Sequence, residues 1–312
     1  MKALRVVFRL GLLIGLAIAM EPTPTSAQTT SPNEAQPPAP GLRKLTGEDE
    51  QRAKELDEQI DAAVKADRFE EAIARAEELF ALRARAQGPK HFETVDAEWR
   101  VKTLRRVAPM PKANRVAYES AKTRNHEAET LLAQGKYAQA QPLFEQALEI
   151  RRRLLTDDHP QTASSYNNVA VNLMYQGKYA AAQPLYEKAL EINRRLLTDD
   201  HPNTAISYNS LAANLSAQGK YLAARDRWIS AVKSLDAARL TVAFTGLERA
   251  GNVHPVRPAL AAVLARLSQP VEAWQSLEQD LGRSLLDELT ARLDRRLAPG
   301  DRARLRELTA EL

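Results

Sequence analysis

The chain has 312 residues and a net charge of +4, from 44 basic and 40 acidic side chains interspersed along its length. That near balance reads as solvated helix faces and gives no reason to expect a nucleic-acid partner. Aromatics are 5% and Gly only 12 positions, among abundant Ala, Leu, Glu, Arg and Gln, so the composition favours helices over a β-rich fold. The absence of cysteine excludes disulfides, thiol catalysis and cysteine-based metal sites.

At the N-terminus, Lys2, Arg5 and Arg9 precede an apolar run over 10–20, and Thr25, Ser26 and Ala27 follow it. A basic start, a short apolar run and a small-residue exit predict a signal peptide over 1–27, cleaved after Ala27. The run is too short to span a membrane, which takes roughly 20 apolar residues. The expected product is exported, periplasmic or secreted, with no membrane span after cleavage. Residues 28–46 carry Pro32, Pro37, Pro38 and Pro40 among Ser, Thr, Gln and Ala and predict a disordered linker.

Helix formers take over from Gly47. The spacing predicts a helix over 48–65 with Leu56, Ile60, Ala63 and Val64 on one face, and a partner helix over 69–86. Phe69 precedes His91 by the same interval that separates Tyr137 from His159 and Tyr179 from His201. Residues 47–108 therefore read as degenerate copies of the units that carry those tyrosines. A helix over 96–108 ends at Pro109-Met110-Pro111, because prolines break helices, and a long helix is predicted over 113–134.

The segment from Gly135 to Pro160 recurs from Gly177 to Pro202 with 22 of 26 positions identical. The changes are Gln139/Ala181, Phe144/Tyr186, Gln146/Lys188 and Arg151/Asn193, and a decayed third copy opens at Gly219. A fixed period of this size predicts a solenoid of stacked units, none able to bury its apolar face alone. Each first helix ends at a Gln-Gly-Lys-Tyr turn, where Gly135, Gly177 and Gly219 suit a left-handed C-cap. Each second helix starts at Tyr137, Tyr179 or Tyr221 and runs through small residues: Ala140 and Ala147, Ala182 and Ala189, then Ala224. The loops 156–160 and 198–202 place Pro160 and Pro202 at the first position of the next helix, behind an Asp or His cap. After Val232 the period fades. Helices are predicted from Leu235 to about 248 and over 258–267, then one or two more over 271–297, with a break at Gly251-Asn252 and a turn over 268–270.

The pattern Asn168-Val-Ala170, Gly177-x-Tyr179-x-x-Ala182-x-x-x-Tyr186-x-x-Ala189 resembles the tetratricopeptide repeat, in the long-period subtype of kinesin light chains and many bacterial proteins. The resemblance implies an all-α fold, a right-handed α-solenoid of antiparallel helix pairs, with the array over 113–232. Residues 260–274 and 283–289 are similar to the helical region preceding the peptidase domain of bacterial CHAT proteins. The caspase-like domain of those proteins is missing here, so that resemblance implies a regulatory or sensing half for this chain and no activity.

In such repeats the first helices line the concave face. Asn125, Asn167 and Asn209 share one position of successive first helices. Such a ladder either reads the main chain of an extended peptide or bonds between adjacent first helices to fix their stacking. Val171, Met174 and Tyr175, then Ala213 and Ser216, lie beside it, a mildly apolar groove suited to a protein partner. The expected function is a non-catalytic scaffold that binds a protein or peptide there, with no cofactor and no metal; self-association is a further expectation. His159 and His201 lie in equivalent loops, so stacking holds them roughly 10 Å apart, and loop capping is the expected role.

Overall fold

A computed structural model describes Leu45, residues 47–242 and residues 256–280, the side chains of 238–242 excepted. The expectations for the signal peptide, most of the linker, the Gly251-Asn252 break and the segment 283–289 lie outside the described residues. Within them the chain is helical: α1 (Glu48–Lys65), α2 (Phe69–Gln87), α3 (Phe92–Val107), α4 (Lys112–Ala133), α5 (Tyr137–Leu155), α6 (Pro160–Tyr175), α7 (Tyr179–Leu197), α8 (Pro202–Ala217), α9 (Tyr221–Val242), α10 (Val256–Arg266) and a last helix, α11, over 270–280. Successive helices pack as antiparallel pairs, α4 with α5, α6 with α7 and α8 with α9, into a right-handed α-solenoid. No helix among the described residues is long and apolar enough to cross a membrane.

The turns obey the repeat. Gly135, Gly177 and Gly219 have φ between 73° and 76°, and nothing crowds a Cβ at Gly177 or Gly219. Glycine is required there by backbone conformation, not by space. Lys136 N–H reaches Leu131 O, and Lys178 and Lys220 repeat the bond to Leu173 and Leu215, all at 2.9 Å. This is the six-to-one bond that closes a helix C-terminus on a left-handed residue. At the other end His91, His159 and His201 are extended N-cap residues whose Nδ1 accepts from the backbone N–H two residues on, as the capping expectation requires.

Helix crossings use the small residues. Ala140, Ala182 and Ala224 are fully buried, as are Ala147 and Ala189, which lets backbones approach to the close end of the usual interaxial range. Phe144 and Tyr186 fill the spaces they leave. Tyr137 instead stacks on Tyr175, ring centroids 5.4 Å apart and planes 11° off parallel.

Two elements depart from expectation. α9 runs without interruption through Val232, where the period fades, to Val242, so the loss of pattern marks a lengthened helix and not a boundary. α3 leaves the register of a repeat. The turn through Pro109–Pro111 lets α3 lie along the loops of the next two units. Its Arg106 Nε donates to Leu154 O (2.8 Å), Thr103 meets His159, and Asp96 meets His201 Nε2 at 3.4 Å. Trp99 and Phe92 set their rings edge-on to the same two histidines.

Candidate functional site

Stacking of α4, α6 and α8 places the candidate residues on successive first helices, in unequal surroundings. Asn125 donates to Glu129 Oε1 (2.7 Å) and accepts at Oδ1 from the Asn168 amide of the next first helix (2.9 Å). Asn167 is half-buried, and its Oδ1 is sealed from solvent without a partner. Asn209 is buried and accepts from Trp228 Nε1 at 2.8 Å. Equivalent positions thus serve three different neighbours: a first helix, an unfilled acceptor and the indole of the second helix.

The recurring rung lies elsewhere. Asn172 donates to Tyr137 O (3.0 Å) and Asn214 to Tyr179 O (3.1 Å), both from buried side chains. Each ties a first helix to the start of the second helix of the preceding unit. The signal was in the sequence, since the two asparagines share the offset of the duplicated segment. Thr162 and Thr204 repeat a second rung, donating to the carbonyls of Thr156 and Thr198 (2.8 and 2.7 Å).

Around these rungs the groove is open. Val171 and Met174 are half-buried against the core, and Tyr186 O–H points at Met174 Sδ (3.7 Å). Tyr175 remains 46% exposed at the end of α6. Further along, Ala213 and Ser216 line an open cleft of about 460 Å³ together with Ala217, Tyr221, Trp228, Ala262 and Arg266. The volume and apolar walls suit one or two side chains of a partner. Arg266 closes its far side, with Nη1 donating to Tyr221 Oη (3.0 Å) and its guanidinium over the Tyr221 ring.

α10 belongs to this groove although its repeat pattern is worn. Ala262 and Arg266 follow Ala213 and Ala217 at the same offset by which Ala273 follows Ala224. The unit keeps its internal spacing while the distance between units has grown, so a search for a constant period misses it.

The loop edge opposite is chemically tight. His159 Nδ1 accepts from Gln161 N–H (3.1 Å), so the ring proton sits on Nε2 and is donated to Thr103 Oγ1 (2.9 Å), whose own proton goes to Trp99 O (2.6 Å). Burial, with Arg106 and Arg151 nearby, pushes His159 down to about 4. Asp157, held by Tyr166 O–H and Arg152, is kept below the usual carboxylate range. Among the described residues no cluster of His, Asp and Glu could hold a metal ion.

The tetratricopeptide repeat family matches this chain over residues 119–192 and 164–232. No curated protein matches it. Among solved structures, BtubC (BKLC) from P. vanneervenii is 16% identical, with 77% of this chain and 92% of that one covered and a TM-score of 0.51; at that identity the likeness shows the fold alone. A kinesin-light-chain-like protein of Podosopora anserina with nearly identical TPR-like repeats is 20% identical, covering 76% of this chain and 97% of its own, TM-score 0.40. The apo form of RapI is 16% identical over 76% and 77% of the two chains, TM-score 0.45.

Proposed function

We propose that this tetratricopeptide repeat protein is a scaffold that binds a protein or peptide partner along its concave groove and does no chemistry of its own. The observation that supports the reading most is the open cleft at Ala213 and Ser216, continuous in position along the first helices with Val171, Met174 and the exposed Tyr175. Small side chains on α8 and α10 leave room for a partner's side chain, and an exposed Tyr supplies a rigid contact at low entropic cost. Asn125, already bonded to Glu129 and Asn168, would meet a partner only by exchanging those bonds, while Asn209 acts through Trp228, by shaping the cleft floor. With export read from its first 27 residues, the partner belongs to the cell envelope or beyond.

A photo-crosslinker at Ser216, compared with one at the exposed Glu187 of α7, tests the groove. Envelope partners trapped from Ser216 and lost when Ala213 is changed to Arg are the expected result. Capture that is equal from Glu187, or unaffected by Ala213→Arg, overturns it. The mass of the mature chain checks export: a product beginning at Gln28 is expected, and an intact Met1 terminus rejects it.

A further inference from the structure

Four positions differ between the two near-identical repeat segments, and one of them, Arg151, is a charge that makes no ion pair among the described residues. Arg151, on α5, reaches between α4 and α6. Its Nη1 donates to Ser165 Oγ (2.7 Å) and Gln161 O (3.3 Å). In the next unit Asn193 serves the same pair, donating to Ser207 Oγ (2.9 Å) and Asn203 O (3.3 Å). A neutral amide therefore suffices for the structural bonds. The guanidinium is surplus to them, and it has been placed where a charge is costly. Part of Arg151 is still accessible by area, but its head lies deep among protein atoms, and that burial pulls its proton affinity down. A desolvated cation is ordinarily matched by an anion. Among the described residues no carboxylate lies within 4 Å of Arg151; the neighbouring Glu129 gives its oxygen to Asn125 and Asn168.

The unused atoms have a definite shape. Nη1 is spent on Ser165 and Gln161, while Nε and Nη2 make no hydrogen bond and are not sealed from solvent. Together they form the side-on edge by which a guanidinium holds a carboxylate with two parallel bonds. Tyr118 adds to the recess. Its hydroxyl oxygen accepts from Gln161 Nε2 (3.3 Å), which leaves its own proton to donate. The recess thus offers donors with no carboxylate paired to them, Glu129 and, on the Tyr118 side, Glu119 acting on it only at longer range.

We propose that Arg151, with Tyr118 beside it, is a receptor for a carboxylate side chain of the partner, so that the groove selects a ligand with an acidic residue near its α4–α6 end. The assignment rests on the groove being the binding face, and it goes further by naming what the partner must carry. Asn193 marks the next unit as neutral, so the selection is local to one unit.

The test titrates the full chain, with arginine side chains ¹⁵N-labelled, against acetyl-tetraglutamate amide at low salt, with inorganic phosphate in a parallel arm. The Arg151 Nε–H signal is identified by its loss in Arg151→Asn, a change the next unit already carries, and melting of that variant checks its fold. A saturable shift of that signal with the peptide, an affinity lowered roughly tenfold in Arg151→Asn, and a weaker response to phosphate are expected. An unmoved Arg151 signal overturns the proposal, as does peptide affinity unchanged in the variant. An equal response to phosphate overturns it too, by reducing the recess to an adventitious anion site. The crosslinking from Ser216 reads the cleft at the other end of the groove, so the groove can fail there while Arg151 binds, or stand while Arg151 does not.

Discussion

The N-terminal helices α1–α3 and the array α4–α9 are both stacks of antiparallel helices, but different chemistry ties their helices together. In the first region the links between helices are ion pairs: Arg52 with Glu78, Arg100 with Asp57 and Asp61, Arg105 with Glu77. In the array the recurring links between helices are neutral side chains on backbone carbonyls, Asn172 and Asn214 above all, and the ion pairs that recur, Arg152 with Asp157 and Arg194 with Asp199, stay local to each loop. A carbonyl is present whatever the sequence, so a neutral rung survives duplication of a segment unchanged. An ion pair needs a matched residue on a particular neighbour, so it suits a region that occurs once. The two regions meet where α3 crosses the His159 and His201 loops, and that seam joins a unique surface to a repeated one.

The largest expected effect is at the seam. His159 titrates near 4 in the fold against 6.5 unfolded. Below 6.5 the unfolded chain takes up a proton that the folded chain refuses. Stability is therefore constant above that pH on this account and falls as the pH drops from 6.5 toward 4, by about 3 kcal/mol in all. The measurement is urea unfolding across pH 4 to 7. His159→Asn, which keeps a capping acceptor and cannot titrate, is expected to flatten the profile in that window. A wild-type profile already flat there breaks the assignment of the seam to a neutral, Nε2-protonated histidine.

Next comes the neutral rung. Asn172→Ala removes this second donor from the Tyr137 carbonyl, which keeps its intrahelical bond, and is expected to cost about 1.5 kcal/mol, the upper range for one lost hydrogen bond. Asn214→Ala should cost less, because Gln218 also reaches Tyr179 O (3.4 Å). If both variants melt with the wild type, the recurrence of the rung is decorative, and packing at Ala140, Ala182 and Ala224 alone holds the array.

Much of this was legible in the sequence, for reasons that also explain what was not. Gly135, Gly177 and Gly219 are demanded by backbone conformation, and Pro160 and Pro202 by the first turn of a helix; such demands are local, so spacing reveals them. The three histidine caps could be read the same way. The paths of α3 and α10 could not. α3 is placed by its contacts with loops more than 50 residues away in the chain, and no local pattern encodes those. The asparagine ladder shows the limit most clearly. Asn125, Asn167 and Asn209 are periodic in sequence, but Trp228 claims one of them, and whether a neighbour does so depends on which side chain fills one repeat position, where Phe144 and Tyr186 stand in the two preceding units.

A smaller effect sharpens the comparison from inside the loops. Thr156 and Thr198 stand at φ 79° and 74° with ψ near 168°, a region that costs a branched side chain of order 1–3 kcal/mol. In the N-terminal region the equivalent residue is Gly88, at φ 91° and ψ 159°. Thr156→Gly is expected to stabilise by about 1 kcal/mol, the relief of strain less the greater freedom of an unfolded glycine. Since the Thr156 carbonyl that receives Thr162 is unchanged, a loss of stability here means that the threonine side chain does something for the loop that Gly88 does without.

The smallest effects belong to the ion pairs of the N-terminal region, and the reason is exposure. Arg105 is 64% exposed and Glu77 45%, so water and salt compete for both, and Arg105→Gln is expected to shift stability by less than about 0.5 kcal/mol. Arg100 is 29% exposed and bridges two carboxylates from α3 to α1; Arg100→Gln should cost about 1 kcal/mol, because two partners hold one already ordered side chain. The Debye length at 1 M salt is about 3 Å, so salt should erase the Arg105 effect, lessen that of Arg100, and leave Asn172→Ala as costly as before. The discriminating measurement is the salt dependence of the three variants' melting shifts. A shift for Asn172→Ala that fades with salt as fast as that of Arg100→Gln would mean that charge, and not carbonyl pairing, holds both regions.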